Sequence, residues 1–472
     1  MIFLAIITYL LPIDGWETEA IDELRIRGKT FATFTTIKPY SYALVDDLIK
    51  SDTTQWDATT KLLVNRLQKF YHKQGFGSVA SLRYVCDTAR RMFVCSGLNY
   101  SAGKFSADIT LVTKYGKSDE FPPLTWRYPN KNIMLGIELC KAYLYSKIKN
   151  VELIVGRLPV RWDYGLLISG STVPYDLISL RLRHNNLLLT YLFIALDQYV
   201  PEETNTPLNR YLCAHRIDIA LFNYRLLFAL NEGVLFVRHD ALSAIYYLSP
   251  ITIYRIAAYN LQFGRPRYGG YPFDDDIYAG FTATLYLRNT KLYFEWLFDD
   301  LGFFSNVLME DILNDGPFAY VIGVERTDLW LRRTLWKFQY LHVNAYCYWH
   351  ILPRNYFVYM GYPLAHRLGS DFDITLLKVT YHWDTATDID VSIDLTRKGK
   401  THLAMDAPRP PGNCFLWGTP QISFTVAAGI RMFLHPWHCA LKLYYIKIRN
   451  YHNEYGCSHQ TYGITFYGRI KF

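Results

Sequence analysis

TYGITFYGRIKF, residues 461–472, decides the fold. With a period of two, Tyr462, Ile464, Phe466, Ile470 and Phe472 share one side, and Thr465, Arg469 and Lys471 share the other. Such alternation marks a strand whose two faces meet different surroundings. The period recurs upstream. FSADITLVTKY (105–115) sets Phe105, Ala107, Ile109, Leu111 and Tyr115 against Ser106, Asp108, Thr110 and Lys114. DIDVSIDLT (388–396) sets Ile389, Val391, Ile393 and Leu395 against Asp388, Asp390, Ser392, Asp394 and Thr396. QISFTVAAGIRM (421–432) sets Ile422, Phe424, Val426, Ala428, Ile430 and Met432 against Gln421, Ser423, Thr425 and Arg431. Strands of parallel α/β sheets are apolar on both faces, and no helical crossover pattern separates these. The pattern predicts an antiparallel meander.

Aromatic residues make up 17% of the chain, with 39 Tyr and 11 Trp, far more than a core needs. These rings are favoured at a membrane–water interface. A Tyr-rich soluble β-lectin is the competing reading of the same composition. A final amphipathic strand ending on Phe472 resembles the C-terminal signature of outer-membrane barrels. At roughly 22 residues per strand and connection, the roughly 400 residues after a helical lead give about 18 strands, or 16. No blade-length repeat supports a propeller. The expected fold is all-β: a large antiparallel transmembrane β-barrel with a small N-terminal helical unit. The expected division is an apolar lead over 1–17, the helical unit over 18–75 and the barrel over 76–472.

Within the helical unit, EAIDELRIRG (19–28) predicts a short helix ended by Gly28. PYSYALVDDLIK (39–50) predicts a second, with Pro39 near its start. A third follows the cap-rich SDTT at 51–54, with Trp56, Leu63, Leu67, Phe70 and Tyr71 on one face. The opening MIFLAIITYLLP reads equally as the apolar part of a signal peptide or as an apolar first segment. The best candidate for a membrane helix, 241–261, is broken by Ser249, Pro250 and Arg255.

Chemistry leaves little trace. The net charge of +8 is scattered without a basic block, which argues against nucleic acid as a partner and suits acidic polysaccharide or lipid phosphates. Eight Cys, at 86, 95, 140, 213, 347, 414, 439 and 457, include no C-x-x-C pair and read as buried single thiols. Gly165 and Ser169 miss the spacing of a nucleophile elbow, and no phosphate-binding loop occurs. His435, His438 and Cys439 of HPWHC suit a girdle or loop better than a metal. The acidic runs at 274–276 and 299–300 suit strand-end turns better than acid–base chemistry. The expectation is a protein without catalysis, cofactor or metal.

Several segments, taken in order, resemble the capsule assembly Wzi family of Gram-negative outer-membrane proteins. They are IDELRIRG (21–28), KPYS (38–41), VGRLPVRW (155–162), LLISGSTVPYDLI (166–178) and NRYLCAHRIDI (209–219), followed by NEGVLF (231–236), DDDIYAGFTATLYL (274–287), LYFEWLFDDLG (292–302) and MGYPLAHRLGSD (360–371). The resemblance implies a large barrel with helices at its periplasmic end. It also implies a lectin-like role, holding capsular or exopolysaccharide at the cell surface. Implied partners are that polysaccharide, outer-membrane lipid and lipopolysaccharide, and the polysaccharide export machinery. The polar residues of these motifs are the candidates for a binding site or lumen network: Arg157, Arg161, Trp162, His215, Arg216, Glu232, Asp299, Asp300, His366, Arg367 and Asp371. One departure stands out. Where the family has a Gly-Pro-Gly turn after the tryptophan, this chain has Asp163, Tyr164 and Gly165. A porin-like channel is the alternative function, followed by an outer-membrane glycan or lipid hydrolase.

Overall fold

The computed structural model describes residues 10, 13, 15–28, 34–40, 56–70, 75–86, 91–102, 105–116, 126–129, 134–170, 173–201, 205–238, 247, 249, 252–262, 275–299, 317–350, 352–401, 403 and 415–471. Phe472, Asp300 and nearly all of the second expected helix lie outside them.

The strands form one closed antiparallel barrel. Among the described residues, eighteen long strands follow one another around the ring, from Gly75–Cys86 to Ser458–Lys471, and the four-residue strand Trp126–Pro129 adds to its edge. Closure is made by Val79–Cys86 pairing with Ile464–Lys471. The higher of the two expected strand counts is therefore the observed one. Connections alternate in length. Two-residue turns such as 149–150, 185–186 and 288–289 lie at one end, and loops such as 159–174, 239–275 and 344–371 lie at the other.

The alternation read from sequence now has a direction. Val391, Ile393 and Leu395 are exposed on the outer wall, as are Ile430, Met432, Leu441, Leu443, Ile464 and Phe466. Aromatics flank this aliphatic band. Trp330, Trp383 and Trp437 are exposed beside the short turns. Phe298, Phe318 and Tyr320 gather around Trp296 nearer the long loops, with centroids 5.3, 6.0 and 6.3 Å from it. Trp437 and Tyr445 lie on one strand. At a rise of about 3.3 Å per residue and a tilt of about 40°, they stand roughly 20 Å apart along the barrel axis. That matches an apolar belt bounded by interfacial rings.

The interior is charged and partly occupied by the chain itself, while Ser423, Thr425 and Lys442 of the inner wall keep exposure. Helix α1, Trp16–Ile26, enters the short-turn mouth with Ile21 and Leu24 fully buried. Helix α2, Ala58–Lys69, packs beside it through Leu62, Leu63 and Leu67, against Trp16 and Phe433. Its cap is Asp57, whose carboxylate accepts from the Thr60 amide at 2.8 Å. The SDTT run expected to cap it lies upstream, because Asp57 directly precedes the apolar repeat. Gly28 follows α1 with φ 85°, as a helix stop requires.

Ion pairs fix α1 to the inner wall. Glu19 reaches Lys378 and Arg431 at 3.2 and 2.7 Å, and Arg27 reaches Asp328 at 2.7 Å. Glu23 receives His382 at 2.9 Å and Arg27 at 2.8 Å. Burial alone would raise the Glu23 carboxyl, but His382 and Arg27 hold it below the ordinary carboxylate range. A depressed native value stabilises above the unfolded value of about 4.3 and is lost as pH falls through the native one. The guanidinium midpoint in micelles is therefore expected to hold down to about pH 5 and fall below about pH 4, with part of that fall absent in Glu23→Gln. A midpoint flat across this window in the wild type contradicts the pairing.

A third helix, α3, Tyr254–Gln262, lies on the outside of the wall. It covers outward-facing Tyr191, Tyr211, Cys213, Val234 and Phe236 through Tyr254 and Ala258. No described helix is long and apolar enough to cross a membrane. The expectation of buried thiols holds for Cys213 and Cys347 but not for Cys457, which is exposed in the turn before the last strand.

Candidate functional site

The loop 159–174 folds back into the barrel. Val160, Trp162, Leu166, Leu167, Ile168 and Val173 would be an apolar tract in water, and inside they join the main core with Leu297, Val321 and Leu341 of the wall. Arg161 and Trp162 pair as a short strand with Lys38 and Ile37, so the loop and the N-terminal segment form one plug. Gly170, at φ 57°, lies so close to Val160 that a Cβ would meet its amide nitrogen at 2.9 Å. A second inward loop, 344–371, packs against the first. Ser169 donates to the Ala365 carbonyl at 2.6 Å, and the Tyr175 hydroxyl donates to Leu364 at 2.9 Å.

The plug is locked by a clamp around Arg216, which is fully buried. Its Nε and Nη2 each donate to Asp218 at 2.8 Å, and its outer nitrogens reach Asp163 of the loop. Thr36 donates to Asp218 and Thr282 donates to Asp163, both at 2.7 Å. The Asp163 amide donates to the Thr36 carbonyl at 2.6 Å. Glu295 on the wall accepts from the Tyr164 amide at 2.9 Å and the Leu166 amide at 3.3 Å. One guanidinium thus joins wall, loop and N-terminal segment.

The departure at 163–165 now has a physical account. Asp163 takes φ 45°, a left-handed conformation that Asp tolerates better than most residues. Its side chain supplies the carboxylate that Arg216 requires. Tyr164 stacks on Tyr293 with centroids 4.0 Å apart. Asp163 and Tyr164 thus anchor the loop through their side chains.

The other candidates are dispersed. Arg157 holds Asp176 through Nε at 2.7 Å and lies 3.3 Å from the Tyr359 hydroxyl. Arg161 donates to the Ile13 carbonyl at 2.9 Å, and Trp162 is buried. Asp299 accepts from the Tyr348 amide. Asp371 is buried and accepts from the amides of Leu416, at 2.6 Å, and Thr401 and Trp417, at 3.3 Å, tying two long loops together. His366 stacks on Phe372 at 4.8 Å, and Arg367 is exposed in the same loop.

His215 and Glu232 do not belong to the lumen, which corrects the expectation for them. They face outward because Arg216, next in the strand, faces inward. His215 Nε2 lies 3.3 Å from Glu232. The Glu232 carboxylate accepts from the first amides of α3, Tyr254 at 2.9 Å and Arg255 at 3.1 Å. Asp275 of the expected acidic run accepts from Arg238 at 2.7 and 2.8 Å and from Tyr247 at 2.6 Å.

Sequence reading missed Asp163, Asp218, Thr282 and Glu295. Asp218 was accessible to it, lying two residues from Arg216 on the same strand face. The contacts of Asp163 and Glu295 span 53 and 131 residues and carry no local signal.

No family model matches the chain, and no curated protein matches it in sequence. Among solved structures it is similar to Wzi of Escherichia coli, described as an outer-membrane protein involved in group 1 capsule assembly and a carbohydrate-binding β-barrel. The TM-score is 0.67 at 13% identity, over 98% of this chain and 99% of that one. It is also similar to OprD of Pseudomonas aeruginosa, with a TM-score of 0.46 at 7% identity over 86% and 97% of the two chains. OccD3 of the same organism gives a TM-score of 0.47 at 10% identity over 85% and 92%. Fold and apolar exterior together make this an outer-membrane β-barrel.

Proposed function

We propose that this chain sits with its short turns toward the periplasm and holds acidic polysaccharide on its long-loop face, without catalysis. The observation that carries the reading is the double plug. Loops 159–174 and 344–371 pack into the lumen from the long-loop side and α1 packs in from the other, as suits a holder more than a conduit. The outward end offers the chemistry that acidic sugars need. Arg367 is exposed in the 344–371 loop, Trp417 lies half-buried in the loop after Lys398, and Tyr455 is 90% exposed in the turn before the last strand. Sugar rings stack on aromatic faces, and uronic acids pair with guanidinium. The fold shared with a carbohydrate-binding barrel supports the same reading. Outer-membrane lipid, lipopolysaccharide and the export machinery are the further partners proposed.

A channel is the second reading. It draws on the inner wall opposite the plugs, where Ser423 and Thr425 keep some exposure.

Full-length protein in micelles, titrated with a fluorescently labelled acidic capsular polysaccharide, tests the first reading. Binding is expected, with a loss of roughly tenfold or more in the combined variant Arg367→Ala, Trp417→Ala, Tyr455→Ala. Failure of the wild type to bind acidic polysaccharides, or equal binding by the variant, sinks the assignment to this face.

A further inference from the structure

A second basic feature lies at the opposite end of the molecule. Between the inner wall and the plug segment 34–40, near the short turns, a cleft of about 210 Å³ is lined by Lys147, Lys149, Arg181 and Arg183. Phe34 and Tyr40 form its aromatic side, and Glu152 is the one carboxylate among the described lining residues. The space is several times the roughly 30 Å³ that a water occupies in the liquid.

Register explains the concentration of charge. Lys147 pairs with Glu152, Glu152 with Arg181, and Arg181 with Thr190, so one row of inward-facing positions crosses four strands. Glu152 is already engaged by Lys147 at 2.9 Å, and Arg181 stands 3.9 Å from it. Arg181 Nη1 donates weakly to the Pro39 carbonyl at 3.4 Å. Its Nε and Nη2 have no hydrogen-bond partner, although the residue is only 8% exposed. The Thr190 hydroxyl beside it is likewise unbonded. Nε and Nη2 form one edge of the guanidinium, which presents two parallel donors matched to a carboxylate or phosphoryl group. On Arg157, Arg216 and Arg397 this edge holds a carboxylate, that of Asp176, Asp218 and Asp373 respectively. Leaving two buried N–H groups unmet is costly, and three further cations around a single engaged carboxylate favour an incoming anion.

We infer that this cleft binds one oxyanion group, carboxylate or phosphoryl, of a ligand that reaches the barrel from its short-turn end. The site is separate from the long-loop face and does not depend on the polysaccharide reading. A uronic acid and a phosphate are the two sources of such a group.

Isothermal titration of the full chain in micelles at low salt, with sodium glucuronate, inorganic phosphate and neutral glucose, separates them. Glucuronate or phosphate is expected to bind, glucose is not, and the anion that binds identifies the source. Arg181→Gln and Lys149→Gln are each expected to weaken that binding at least roughly tenfold and roughly threefold respectively. Lys149 lies in an exposed turn, so its variant reports even if Arg181→Gln does not fold. Arg367→Ala, at the other end, is expected to leave the binding unchanged. No binding of either anion by the wild type, equal binding of glucose, or wild-type affinity in both cleft variants overturns the site.

Discussion

Arg216→Ala is expected to destabilise the folded barrel by about 3–5 kcal/mol and to free both the 159–174 loop and the N-terminal segment at once. The size follows from what the truncation leaves behind. Asp163 and Asp218 remain buried with no opposing charge, and Thr36 and Thr282 alone cannot compensate them. Removing one member of a buried ion cluster costs far more than replacing the whole cluster by apolar side chains of similar volume. The triple variant Arg216→Met, Asp163→Leu, Asp218→Leu is therefore expected to regain part of the loss. Guanidinium unfolding in micelles gives the energy, and trypsin cleavage after Arg157 and Arg161 reports release of the loop. An Arg216→Ala protein with wild-type midpoint and no new cleavage would remove the clamp from the account.

Gly156→Ala is the second large effect, and it acts through the backbone. Gly156 adopts φ 129° within a wall strand, a region that L side chains rarely enter. A Cβ there would press into the Ala142 carbonyl oxygen and meet Tyr143 Cα at 2.8 Å. Strain of this kind costs about 1–3 kcal/mol, and the neighbouring strand must shift as well. The variant is expected to refold into micelles poorly, with most of the chain migrating as unfolded on an unheated gel. Gly361→Ala is the control: φ is 81°, but nothing lies within 4 Å of the added carbon, so its loss should be limited to the φ term. Equal refolding of Gly156→Ala and wild type would contradict the strand geometry drawn here.

How much was legible beforehand differs by element. The wall was readable because each strand carries its own two-faced pattern, and Tyr462, Ile464 and Phe466 do face outward as their spacing requires. The same rule, applied to AHR at 214–216, separates His215 from Arg216, yet motif order grouped them together. Helix α1 was readable from its apolar repeat and from Gly28. Helix α3 was not, because its apolar residues are divided between the wall and the outside: Tyr254 and Ala258 are buried while Ile256 is exposed. The plug was hidden for a different reason. LLI at 166–168 reads as strand, and only contacts across more than a hundred residues, such as Glu295 to Tyr164, turn it inward. The proposed function rests on resemblance rather than on chemistry legible in the sequence. The charged residues of the motifs that carry the resemblance are mostly spent on bracing: Arg157 on Asp176, Arg216 on Asp163 and Asp218, Asp371 on three backbone amides.

Loops 159–174 and 344–371 and helix α1 plug the barrel from its two ends. Conductance across a planar bilayer containing the reconstituted full-length protein tests it most directly. No large steady conductance is expected in the wild type, and its appearance is expected when residues 160–173 and 345–370 are replaced by short linkers. A large, steady, ohmic conductance from the unmodified protein would contradict it.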